Sequence, residues 1–173
     1  MANTYVKIAS TTVGSGGAAS IDFSSIPGTY TDLVIKISAR DARAVVASSI
    51  VLQINGSTAS SGSYRRIYGD GTSAFSDSST GETTVQSGHS DGNSATANTF
   101  GNVEIYIPNY AGSANKSFSS DGVAETNATT TYMSMVAGLW ANTAAITQIT
   151  IKPATAVNFL QYSTATLYGI KNS

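Results

Sequence analysis

The chain has 173 residues, 41% of them hydrophobic and 11% charged, with one histidine, no cysteine and a formal net charge of −1. Disulfides, thiolate zinc sites and cysteine nucleophiles are excluded, and without a basic stripe neither nucleic acid nor an anionic membrane is an expected partner. Charged residues fall well below the roughly 25% of an average domain, so Ser, Thr, Asn and Gly must wet the surface.

The N-terminal MANTYVKIAS lacks the basic start and apolar run of a signal peptide. After it the chain alternates between short stretches with every second residue apolar and loops rich in Ser, Thr, Gly and Asn. The clearest alternations place Leu33, Ile35 and Ile37, then Ile50, Leu52 and Ile54, then Val103, Ile105 and Ile107 on one face of a strand. The pattern predicts strands at 5–13, 18–23, 32–39, 49–55, 64–68, 102–108, 116–123, 131–140, 146–152 and 160–170. Turn-forming residues separate them, among them Pro27-Gly28, Asn55-Gly56, Gly69 to Gly71 and Pro108-Asn109. Nine to ten antiparallel strands without substantial helix point to one all-β domain over residues 1–173, a β-sandwich of jelly-roll topology. Residues 72–99 are nearly all Ser, Thr, Gly, Asp and Asn and are expected to form a long polar loop excursion.

Chemistry-bearing residues are sparse. His89 lies in the polar stretch GHSDGN and reads as an exposed loop histidine. No G-x-S-x-G elbow accompanies the serines, and the acids are scattered, so no catalytic residue, cofactor site or metal site is assigned and the chain is expected not to be an enzyme. Asp70, between Gly69 and Gly71, could join Asp77 and loop carbonyls around Ca²⁺, but a turn-forming aspartate is the better reading. Arg65 and Arg66 are neighbours on one strand, so one points inward to an acid and the other outward; an inter-subunit ion pair with an acid such as Glu104 is the functional expectation. Trp140, with Met133, Met135 and Leu139, is expected in the core or at the rim of a subunit contact. Tyr5, Tyr68 and Tyr106 suit a polar protein or sugar interface. The expected interface set is therefore Tyr5, Arg65, Arg66, Tyr68, Glu104, Tyr106 and Trp140.

With the strands placed, SYRRIYGDG at 63–71, FGNVEIYIPNYAG at 100–112, STATLYGIK at 163–171 and IDFSSIPGTYTDLVIKISAR at 21–40 resemble small virion structural proteins of tailed bacteriophages, particularly marine and cyanobacterial ones. The resemblance implies a jelly-roll (tumour-necrosis-factor-like) domain that serves as capsid decoration, or cement, usually as a homotrimer seated on the major capsid protein lattice at the virion exterior. It also implies an alternative, a receptor-binding carbohydrate-recognition module at a fibre or spike tip that takes host surface glycan. Residues 2–8 or the 72–99 excursion are the expected capsid contact.

Overall fold

The computed structural model describes residues 4–128 and 130–171. Twelve strands follow in chain order: β1 Tyr5–Thr12, β2 Ile21–Phe23, β3 Asp32–Ala39, β4 Ala47–Ile54, β5 Gly62–Gly69, β6 Ala74–Glu82, β7 Val85–Asp91, β8 Gly101–Ile107, β9 Lys116–Ala124, β10 Tyr132–Trp140, β11 Ile149–Pro153 and β12 Thr164–Ile170. They form two antiparallel sheets, an eight-stranded one in the order β1-β12-β3-β8-β9-β10-β5-β6 and a four-stranded one in the order β2-β11-β4-β7. Setting aside β5, β6, β9 and β10 leaves two four-stranded sheets, β1-β12-β3-β8 and β2-β11-β4-β7, which is the double-sheet order of a jelly roll.

The core lies between these two sheets. Leu33, Ile35 and Ile37 of β3, Val103, Ile105 and Ile107 of β8 and Leu167 of β12 meet Ile50, Leu52 and Ile54 of β4, Ile149 and Ile151 of β11 and Phe23 of β2. All nine residues of the three clearest sequence alternations are buried here. Each aliphatic side chain removed from water contributes about 1.5–3 kcal/mol, which makes this layer the dominant favourable term.

The expected polar excursion at 72–99 is corrected by two strands. Asp70-Gly71 turns β5 into β6: Gly71 takes φ +86°, and the Asp70 carboxylate accepts from the Thr72 and Ser73 amides at 2.9 and 2.7 Å. These amides hold the Asp70 carboxyl below its ordinary pKa. β7 then returns as an edge strand of the small sheet, paired with β4. Every residue of β7 is buried, although most of its side chains are polar.

Two buried cations tie down the connecting loops. The Arg40 guanidinium donates to the carbonyls of Thr96 (2.8 Å), Thr99 (3.1 Å), Ala95 (2.9 Å) and Asn93 (3.3 Å), pinning the β7–β8 connection. The Lys116 ammonium donates to the carbonyls of Gly112 (2.7 Å), Ala114 and Thr143 (3.3 Å), joining the β8–β9 and β10–β11 connections. Burial lowers the pKa of Lys116. The hydrogen-bond acceptors of both cations are neutral: main-chain carbonyls and, for Arg40, the Thr99 hydroxyl as well.

Candidate functional site

The outer face of the eight-stranded sheet is open to solvent, and the register resolves it into rows that cross every strand. One row runs Ser10, Thr166, Lys36, Glu104, Asp121, Met135, Ile67, Ser76. The next runs Lys7, Tyr168, Val34, Tyr106, Ser119, Ala137, Arg65, Ser78. The two halves of this face differ in chemistry.

On the β1-β12-β3-β8 half, tyrosines cover Val34. The Tyr5 ring meets that of Tyr168 edge-on at 6.1 Å, and the Tyr106 hydroxyl donates to the Asp32 carboxylate at 2.9 Å, which raises the tyrosine's pKa. Asp32 also accepts from the Asn109 amide at 2.8 Å. Lys36 and Glu104 pair at 2.8 Å; the hydrogen bond and the charge of Glu104 raise the lysine pKa. Glu104 is thus held by its own chain rather than by Arg65 or Arg66. Of the expected interface residues, Tyr5, Glu104 and Tyr106 come together here.

The β9-β10-β5-β6 half carries exposed apolar side chains, Ile67 (59% exposed), Met133 (66%) and Met135 (62%), with Val123 beside them. Ile67 and Met135 are cross-strand neighbours and line two shallow grooves, of about 590 and about 560 Å³. Arg65 is exposed on this half and donates to the Tyr64 carbonyl at 2.8 Å.

Arg66 points the other way, as the strand period requires. Its guanidinium forks onto the Asp77 carboxylate, with Nε donating to Oδ1 at 3.0 Å and Nη2 donating to Oδ2. It also lies 4.3 Å from the Tyr68 ring centre, and Nη1 is 3.3 Å from His89 Nε2. A guanidinium can only donate, so Nε2 accepts and the ring proton sits on Nδ1, which donates to Ser134 Oγ at 3.2 Å. Tyr132 stacks on the imidazole at 5.1 Å. His89 is therefore buried, 5% exposed, and not the loop histidine expected. Burial and the neighbouring Arg66 charge lower its pKa to about 4. A neutral, fully partnered imidazole has no free base to offer a substrate.

The remaining candidates fall apart as sites. Asp77 is engaged by Arg66 and Asp70 by its own turn, so the two are not set around a cation, and no group of three or more His, Asp or Glu among the described residues could hold a metal. Trp140 is in the core, with no acceptor for its indole N–H among the described residues, so it lies inside the sandwich rather than at a contact rim. Met133 and Met135 are exposed on the outer face instead. The row structure of that face was beyond the reach of sequence reasoning, because it depends on which strands are neighbours. The one available signal was the alternation of β10, Met133 and Met135 against Ser134 and Val136. Comparison with protein families, curated proteins and solved structures gives no match to this chain.

Proposed function

We propose that this chain is a structural protein of a tailed-bacteriophage virion, a capsid decoration protein that binds the assembled head lattice. The observation that carries this reading is the use made of β5, β6, β9 and β10. A jelly roll is complete without them; they widen one sheet from four strands to eight. At about 4.8 Å per strand the outer face becomes roughly 34 Å across. A face this wide, with tyrosines on one half and apolar side chains on the other, has room for a capsid contact beside a second contact, and interfaces of this kind bury on the order of 1,000 Å² or more. Binding only the assembled lattice stabilises it by mass action. The tyrosine half, with Tyr5 and Tyr106, is the capsid-facing part in this reading. Within 72–99, β7 is withdrawn from that role because it is buried, while β6 stays largely exposed; of residues 2–8, residues 2 and 3 lie outside the described residues and Tyr5 to Ile8 belong to β1.

The test is copy number and place on intact virions, by antibody-gold microscopy and gel densitometry. Hundreds of copies over the head, reduced by the Tyr5→Ala/Tyr106→Ala pair, are expected; a few copies at the tail end would remove the decoration reading. One observation favours a second reading, host-glycan recognition: Tyr5 and Tyr106 are exposed beside Tyr168, an aromatic surface of the type that sugars use. Retention of the isolated protein on host polysaccharide, lost in the same tyrosine pair, is its signature.

A further inference from the structure

We infer that the β9-β10-β5-β6 half of the outer face is a self-association surface, where a second copy of this chain docks about a two-fold axis. The inference rests on charge and apolar placement within the face and stands apart from the virion reading.

Glu104 and Asp121 are directly opposite on β8 and β9, and like charges so placed repel. Lys36 answers Glu104 at 2.8 Å. Asp121 is exposed and has no cation in contact among the described residues, while Arg65 is exposed, has only the Tyr64 carbonyl and meets no carboxylate. Asp121 is on β9 and Arg65 on β5, with β10 between them, about 10 Å apart across the strands. The two stand one row apart, so the midpoint between them falls on β10 between Met135 and Ala137.

A two-fold axis lying in the plane of the contact, passing through that midpoint and perpendicular to the line from Arg65 to Asp121, exchanges the two positions. Arg65 of one copy then faces Asp121 of the other, and the reciprocal pair forms at the same time, as an isologous interface requires. The exposed Ile67 and Met135 fall at the centre of the pair, beside the two grooves they line. Four strands of about eight residues present a flat area of about 500 Å² per partner. That is smaller than the roughly 800 Å² of a standard interface, which places the pair among weaker, concentration-dependent associations.

Sedimentation equilibrium over a concentration series tests this. The mass is expected to rise from the 17.7 kDa of one chain to twice that value. Met135→Lys should abolish the rise with its melting temperature unchanged, because the side chain is on the surface. Arg65→Asp and Asp121→Arg should each weaken association by about tenfold, and the double exchange should restore it. A protein that stays monomeric at every concentration overturns the inference and leaves the face to a different protein. A three-fold assembly, or a dimer that the double exchange fails to restore, overturns the two-fold geometry.

Discussion

At the scale of single residues, His89 carries a measurable signature. It is neutral when folded, held by donation from Arg66 and to Ser134, with a pKa of about 4, whereas an unfolded histidine titrates near about 6.5. The unfolded chain therefore takes up the proton first as pH falls. The stabilisation is complete above about pH 6.5, declines as pH falls and is lost at about pH 4, a change of about 3 kcal/mol. Asp91 acts in the opposite sense: burial raises its pKa against the opposing pull of Thr99 and Arg40, so its contribution falls as pH rises above the ordinary carboxylate range. Urea midpoints at pH 7 and pH 4.5 should therefore be compared between the native chain and His89→Gln, a difference that cancels the Asp91 term. A variant as steeply pH-dependent in this window as the native chain would show that His89 is not the titrating group.

Among the elements, β7 shows why part of the fold was legible and part was not. β3, β4 and β8 could be read from sequence because large aliphatics recur every second residue and one face of each is buried. β7 (VQSGHSD) lacks that period. Its side chains are satisfied one by one: Gln86 donates to the Gly88 carbonyl at 2.8 Å, Ser87 to the Ile50 carbonyl at 3.1 Å and Ser90 to Asp41 at 2.8 Å. The Gln86 bond closes within the strand, but the partners of Ser87 and Ser90 come from distant parts of the chain, so local pattern carries no trace of them. β6 had a local sign in the Asp70-Gly71 turn, a common hairpin dipeptide, but its Ser and Thr residues mimic a loop. Within β7, Gly88 has φ +147°, and an added Cβ would meet the Val103 methyls at 2.7 and 2.9 Å. Gly88→Ala should cost about 2–4 kcal/mol, measured by equilibrium unfolding. Adding Val103→Ala should recover only the steric part, since the backbone strain remains; full recovery would show that the strain is negligible.

For the whole molecule, the candidate site was legible as residue types and not as a surface. Tyr5, Glu104 and Tyr106 were singled out separately and the sheet order brought them to one patch; Arg65 and Arg66 were correctly set on opposite faces, but their partners depended on which strands became neighbours. Trp140 was drawn inward by the core. The buried cations Arg40 and Lys116 bear on the molecule as a whole in another way. External salt screens interactions between charges at the surface and reaches buried ones far less. Two ion pairs are found among the described residues, Lys36–Glu104 and Arg66–Asp77, whereas the cations that fasten the loops are buried and hydrogen-bonded to carbonyls, Arg40 with Asp91 nearby. The melting temperature should thus shift by no more than about 2 °C between about 0.05 and about 1 M sodium chloride, a calorimetric result that a strong salt dependence would contradict. A shell fastened by charge and carbonyl keeps its shape in fresh water and in brine alike.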